Sequence, residues 1–67
     1  MERYKNNIKA LRSSKNMPQV ELADRVGVHR ETITRIENGY KLPSVKLAID
    51  IAKVFDKSVE EVFFFEG

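Results

Sequence analysis

Polar residues between His29 and Asn38 have the types and the spacing needed to recognise hydrogen-bonding groups on another molecule. If residues 29–38 form a helix with Ile33 and Ile36 pointing inward, the outward positions are Arg30, Glu31, Thr34 and Arg35. Each of these side chains donates or accepts hydrogen bonds, and none is a large apolar group. Such a face is suited to base-pair edges in the major groove of DNA.

A second short helix has to hold this one in place. The sequence from Gln19 to Asn38 predicts two short helices separated by a turn at Gly27, which can adopt a left-handed C-cap without steric cost. Ala23 is small enough for the two helix axes to approach each other where they cross. The apolar residues expected to close the core beneath them are Leu22, Val26, Val28, Ile33 and Ile36.

Three further helices are predicted around this pair. A first helix is expected over residues 5–15 because apolar residues recur there at helical spacing, at Tyr4, Ile8 and Leu11. Ser44 can cap a fourth helix whose inward positions are Leu47, Ala48, Ile51, Ala52 and Phe55.

The last helix is short. Ser58 and Glu61 have the spacing of a capping box, and the helix that they begin carries Val59, Val62 and Phe63. Residues 62–65 can also extend as an edge strand beside residues 3–5.

Composition excludes several classes of protein. With 67 residues the chain forms one small domain, and without cysteine it has no disulfide, no thiolate zinc site and no cysteine nucleophile. Its single histidine is not expected to bind a metal, and no apolar run approaches the ~20 residues of a membrane span. The N-terminus lacks an apolar signal region, so we expect a cytoplasmic protein. We expect no cofactor and no small-molecule ligand, because no residues remain for an inducer-binding or catalytic domain.

Charge is distributed unevenly along the chain. Net charge is only +2, but residues 1–46 carry ten basic and five acidic side chains, whereas residues 47–67 carry two and five. A basic N-terminal part is what a polyanion-binding surface would need, although an ordinary solvated surface can show the same asymmetry. Catalysis is not expected, because Ser13 and Ser14 have no base at a suitable spacing.

Over about residues 6–63, the chain resembles the helix-turn-helix proteins of the phage Cro and repressor family, also called XRE. The matching elements are Ile8-x-x-Leu11-Arg12, Gln19-x-x-Leu22-Ala23, Gly27-Val28, Ile33-x-x-Ile36-Glu37-Asn38-Gly39, Pro43-Ser44 and Leu47-Ala48-x-x-Ile51-Ala52. This resemblance implies an all-α, compact five-helix lambda-repressor-like domain over residues 1–67, with its helix-turn-helix at 19–38. It also implies a symmetric dimer on double-stranded DNA, with the third helix in the major groove.

The resemblance also assigns roles to individual residues. Arg30 and Arg35 occupy base-reading positions, where each guanidinium can bind guanine O6 and N7. Glu31 can either accept from cytosine N4 or hold Arg35 as an i, i+4 partner, and Thr34 can either touch a thymine methyl or remain solvated. Two further family positions imply an ion pair between the first and third helices, made by Arg12 and Glu37.

Other residues are candidates for phosphate contacts, which position a protein on DNA without specifying a sequence. They are Gln19, His29, Asn38, Tyr40, Lys41 and Lys46. The alternative for each lysine is simple solvation. The chain departs from the family pattern at Pro18, which stands where Ser, Thr or Asn is usual, so that a cap hydroxyl and any phosphate bond from it are missing. It departs again at His29, which stands where Ser or Thr is usual. His29 can cap, contact a phosphate or reach a base.

Three consecutive phenylalanines near the C-terminus predict an interface. A monomer this small cannot bury Phe63, Phe64 and Phe65 together, so at least one should lie in a two-fold interface formed by residues 58–67. The alternative is that Phe63 belongs to the core and the rest frays. We therefore expect a homodimeric repressor that binds an inverted-repeat operator. The other class to consider is an antitoxin-like or other protein-interaction module whose DNA binding is secondary.

Overall fold

The computed structural model describes residues 3–66, and the side chains of residues 4–66. Met1, Glu2 and Gly67, the ends of the predicted single domain, lie outside the described residues. Within residues 3–66 the chain forms five helices and a two-stranded antiparallel sheet. In chain order the elements are β1 (Arg3–Asn6), α1 (Ile8–Ser14), α2 (Gln19–Val26), α3 (Arg30–Glu37), α4 (Val45–Val54), α5 (Val59–Val62) and β2 (Phe63–Glu66). The predicted five-helix fold is confirmed.

Local sequence signals account for most of the helix ends. Pro18 precedes α2 in an extended conformation, and Gly27 ends α2 with φ of 75°, its N–H donating to the Ala23 carbonyl. The Ser44 hydroxyl accepts a hydrogen bond from Leu47 N–H at the start of α4. Each of these boundaries agrees with the prediction.

The start of the first helix was predicted wrongly. Residues 5 and 6 belong to β1, and α1 begins only at Ile8, whose N–H donates to Asn6 Oδ1. Tyr4, which the helical spacing included, lies in the strand and stacks on Phe63 with ring centroids 6.4 Å apart. Pairing between the chain ends therefore outweighs the local helical periodicity, because it provides both ladder hydrogen bonds and aromatic contacts.

The two chain ends pair in the register Arg3 to Glu66 and Asn6 to Phe63. This confirms the short terminal pairing, with β2 one residue later than expected and with Phe63 in the strand rather than in α5. The capping box of α5 is present, since Glu61 N–H donates to Ser58 Oγ and Ser58 N–H donates to Glu61 Oε1.

A single apolar core lies between the helices. Ala23 is buried in this core, with 1% of its surface exposed. The buried cluster comprises Ile8, Met17, Leu22, Ala23, Ile33, Ile36, Ile51, Ala52, Phe55 and Val62. None of the helices within residues 3–66 combines the length and the hydrophobicity that crossing a membrane requires.

Candidate nucleic-acid interface

Helix α3 presents one buried face and one exposed face. Ile33 and Ile36 are fully buried and fix the rotation of the helix about its axis. Arg30, Glu31 and Arg35 are exposed on the other side. Among the described residues, neither guanidinium has a hydrogen-bond partner or an ion-pair partner. The guanidinium groups of Arg30 and Arg35 are therefore available to an external hydrogen-bond acceptor.

Glu31 does not hold Arg35. Across residues 4–66 the ion pairs are Arg12–Glu37, Arg25–Glu21 and Lys46–Asp50. The i, i+4 pair of Glu31 and Arg35 considered from the sequence is therefore not formed. His29 precedes the helix in an extended conformation, and its exposed imidazole does not cap the first turn. Its capping role is therefore not realised, and its side chain faces solvent at the start of α3.

A polar network joins the starts and ends of three helices. Gln19, the first residue of α2, donates from Nε2 to Glu37 Oε1 at 3.0 Å and accepts from the Thr34 hydroxyl at 2.9 Å. The Thr34 hydroxyl also lies 3.2 Å from the Arg30 carbonyl oxygen. Gln19 thus holds α3 against α2, and one hydrogen of its amide remains for an outside acceptor.

Glu37 is the centre of this network. Its carboxylate accepts from Arg12 at Nε and at Nη2, the latter at 3.1 Å, and Arg12 Nη1 donates to the Met17 carbonyl at 2.9 Å. The side chains of Arg12 and Glu37 are only 12% and 5% exposed. This nearly buried pair fixes the last turn of α3 relative to α1, in a geometry with two parallel hydrogen bonds.

The candidates for phosphate contact differ in how accessible they are. Asn38, Tyr40 and Lys41 are exposed in the segment that follows α3. Lys46 is also exposed, but its Nζ lies 2.6 Å from Asp50 Oδ2 in an i, i+4 pair. A phosphate would therefore have to compete with Asp50 for Lys46.

Asn6 and Tyr4 contact the end of α3, although sequence reasoning did not assign them to the site. Asn6 Nδ2 lies 3.1 Å from the Ile36 carbonyl oxygen and 3.3 Å from that of Glu37. The Tyr4 hydroxyl lies 3.4 Å from the Ile36 carbonyl, and burial raises the pKa of Tyr4, which keeps the donor proton in place. An asparagine just before a helix is typical of a cap, which fits the bond from Ile8 N–H to Asn6 Oδ1. Nothing in the sequence indicates the contact of Asn6 with α3.

The phenylalanines form part of a larger apolar surface. Phe63 and Phe64 are half-buried, and Phe65 is 59% exposed. They border a groove of about 460 Å³ between β2 and the start of α4. We call it the apolar groove; its other lining residues are Tyr4, Leu42, Pro43, Val45, Ala48, Ile49 and Val59. Sequence reasoning did not assign Leu42, Val45 and Ile49 to a site, although Val45 and Ile49 are four residues apart and therefore share one face of α4.

No group of three or more histidine and acidic side chains that could hold an ion occurs in residues 4–66.

Comparison with known proteins identifies relatives along most of the chain. The sequence profile of a family described as Helix-turn-helix matches residues 8–62. An uncharacterized HTH-type transcriptional regulator of Archaeoglobus fulgidus is 50% identical over 62 residues, which cover 92% of this chain and 87% of that protein. An uncharacterized HTH-type transcriptional regulator of Methanocaldococcus jannaschii is 45% identical over 62 residues, covering 92% and 94%.

A solved structure shares the fold. A candidate DNA-binding protein from Bacteroides fragilis superposes with a TM-score of 0.79, covering 90% of this chain and 97% of that one. Its sequence identity is 22%, so this likeness concerns the fold alone.

Proposed function

Because the chain belongs to the XRE-type helix-turn-helix family of DNA-binding transcriptional regulators, we propose that it reads a specific DNA sequence with the exposed face of α3. The observation that carries this proposal is the state of Arg30 and Arg35. Both are exposed on a helix whose opposite face is fully buried, and neither is paired among the residues that the structure describes. Each guanidinium can bind guanine O6 and N7 from the major groove.

The neighbouring positions have secondary roles in this proposal. Glu31 is exposed and unpaired within residues 4–66, which favours acceptance from cytosine N4 over a role in holding Arg35. The Thr34 hydroxyl is already bonded to Gln19, so its proposed base contact is a methyl contact with thymine.

Phosphate contacts flank the reading face in the same proposal. His29 lies before α3, and Asn38, Tyr40 and Lys41 lie after it. Gln19 contributes its remaining amide hydrogen, and Lys46 contributes after leaving Asp50. Neutralising each phosphate contributes about −0.9 to the slope of log K against log salt. Replacing Lys41 with Gln should make the slope shallower by about 0.9 for each bound protomer, about 1.8 for a dimer, without changing the preferred sequence.

The proposal is tested by selecting binding sites from random duplexes with the wild-type protein and with Arg30→Ala and Arg35→Ala. Each variant should lose preference at particular base pairs, by about 1 to 3 kcal/mol per contact. Arg25→Ala is the matched control, since Arg25 is exposed on α2 and pairs with Glu21. Uniform weakening at all positions would reduce both α3 arginines to phosphate anchors, and an affinity independent of salt would contradict DNA binding.

We propose further that the active species is a homodimer formed through residues 58–67 and the apolar groove. Leu42, Val45 and Phe65 are more than half exposed, and a soluble monomer rarely shows a large contiguous apolar patch. Within residues 3–66 the sheet has two strands, so one edge of β2 has no strand beside it. The β2 strand of a second copy could pair antiparallel with that edge. A two-fold pairing centred on Phe65 would set Glu66 opposite Phe64 of the second copy rather than opposite another acid.

A two-fold dimer also sets the distance between the two reading helices. Two reading helices about 34 Å apart would then meet half-sites one DNA turn apart, so the selected sites should be inverted repeats.

The regulatory outcome that we propose is repression by occlusion of a promoter. A reporter whose promoter contains the selected site should fall in output when the protein is expressed and recover with Arg30→Ala. An increase in output would instead assign activation.

A second candidate function uses the same groove to bind a different protein, as an antitoxin binds its toxin. The exposed apolar lining favours it as much as it favours a second copy. In that case the purified chain is a monomer at micromolar concentration and forms a stoichiometric complex that requires Phe64 and Phe65. A stable homodimer that binds an inverted repeat would argue for the first candidate.

A further inference from the structure

The last turn of α3 is supported by a strand at the far end of the sequence. Asn6 Nδ2, in β1, lies 3.1 Å from the Ile36 carbonyl oxygen and 3.3 Å from that of Glu37, and can donate to both. The carbonyls in the last turn of a helix have no partner within the helix. The Ile36 carbonyl also accepts from Gly39 N–H in the turn after α3, whereas the donor that the structure gives to the Glu37 carbonyl is Asn6 Nδ2.

Asn6 does this while it is itself held at two points. Its Oδ1 accepts from Ile8 N–H at 3.1 Å, so the same side chain bonds to the first residue of α1 and to the last turn of α3. Tyr4 stands beside it, with its hydroxyl 3.4 Å from the Ile36 carbonyl and 3.5 Å from Asn6 Nδ2. The ring of Tyr4 stacks on Phe63 of β2, and the paired strands fix the backbone of both residues.

Helix α3 needs such support because it has only eight residues. Burial of Ile33 and Ile36 fixes its rotation, and the ion pair with Arg12 fixes the side chain of Glu37. The backbone of the last turn is held by the N–H groups of Asn38, Gly39 and Tyr40 and, from the N-terminal strand, by Asn6 and Tyr4. Arg35 belongs to that turn. A bidentate contact with a base tolerates only small displacements of the residue that makes it.

We propose that Asn6, assisted by Tyr4, is a positioning residue that orients the last turn of α3 so that Arg35 can discriminate between bases. The inference rests on the proposed function, since it concerns how well the reading face discriminates. It assigns to the N-terminal strand a role in sequence specificity, although that strand lies outside the helix-turn-helix.

The test replaces Asn6 with Asp, which keeps the acceptor for Ile8 N–H and removes both donors to α3. A carboxylate facing two carbonyl oxygens also repels them. Asn7→Asp is the matched control, because Asn7 Nδ2 donates to the Glu61 carbonyl at 2.9 Å and so supports α5 rather than α3. Tyr4→Phe removes only the hydroxyl and retains the stacked ring.

Two readouts separate positioning from general stability. The first is discrimination, measured as the ratio of affinities for the duplex selected by the wild-type protein and for a shuffled duplex of the same composition. Asn6→Asp should lower this ratio about fivefold or more, the equivalent of one net hydrogen bond. Asn7→Asp should leave it unchanged, and Tyr4→Phe should have an effect smaller than that of Asn6→Asp.

The second readout is amide hydrogen exchange, which does not depend on DNA. Gly39 and Tyr40 donate to the Ile36 and Arg35 carbonyls at the end of α3, at 3.1 and 2.9 Å. Asn6→Asp should accelerate exchange at these two amides by about fivefold, with the amides of α4 unchanged. Asn7→Asp should act at α5 instead.

Equal loss of discrimination in Asn6→Asp and Asn7→Asp would overturn the inference, since it would reflect general destabilisation. Wild-type discrimination and wild-type exchange in Asn6→Asp would overturn it as well. If the wild-type protein does not discriminate between the duplexes, the proposed function fails, and exchange at Gly39 and Tyr40 alone decides whether Asn6 positions α3.

Discussion

Arg12 and Glu37 carry opposite charges in a part of the protein that water hardly reaches. Removing two charges from water costs about as much free energy as their attraction returns, so the pair fixes a geometry more than it stabilises the fold. Losing one partner is different, because the remaining charge is left buried without compensation. The importance of the pair therefore lies in holding α1 to the end of α3.

Replacing Arg12 with Leu should lower the free energy of unfolding by about 3 kcal/mol or more, because the Glu37 carboxylate would stay buried with Gln19 as its remaining partner. Urea unfolding measures the change. Arg25→Leu is the same substitution in an exposed pair and should cost no more than about 1 kcal/mol. Similar losses in the two variants would mean that the Arg12 pair is effectively solvated.

Among the elements, the turn between α2 and α3 depends on the backbone of Gly27. Its φ is 75°, yet a Cβ built on it meets no atom within 4 Å, so glycine is required by conformation and not by space. Gly27→Ala should cost about 1 kcal/mol or more in thermal unfolding. Gly27→Asn should cost less, because asparagine tolerates this region, as Asn16 does at φ of 53°. An equal cost for both would point to a steric cause.

Helix α5 has a pH-dependent start. Hydrogen bonding from Ser58 lowers the pKa of Glu61, so the ionised form is favoured in the folded state. The stabilisation is present at pH above about 4.3, where the unfolded residue is ionised, and it is lost as the pH falls through the lower folded pKa. The urea midpoint of the wild type should therefore fall more between pH 6 and 3 than that of Glu61→Gln. An equal fall of the urea midpoint with pH in the wild type and in Glu61→Gln would contradict this prediction.

At the scale of the whole molecule, the proposed dimer interface is the apolar groove, and a charge placed in the groove tests that proposal. Val45→Asp places a charge in the groove and should convert the proposed dimer to a monomer in sedimentation, with weaker binding to an inverted repeat. Val20→Asp is the matched control, because Val20 is also exposed near a helix start but does not line the groove. A dimer that survives Val45→Asp would exclude the groove as the interface.

Sequence alone was sufficient for the features that depend on local chemistry. Gly27, Ser44 and the Ser58–Glu61 box place helix ends through the conformations and caps that these residue types favour, and Ile33 and Ile36 define the buried face of α3. The outward position of Arg30 and Arg35 follows from the same periodicity. The family resemblance named Arg12 and Glu37, which the fold brings together.

Only the tertiary structure decided what depends on segments far apart in the chain. Residues 5 and 6 leave the predicted helix because β2 pairs with them, and Asn6 reaches α3 only through that pairing. Gln19 bonds Thr34 and Glu37 because the two helices cross there. Phe65 shares one groove with Leu42 and Val45, although these lie 20 or more residues earlier in the chain. Such contacts arise from packing, which local propensity does not encode.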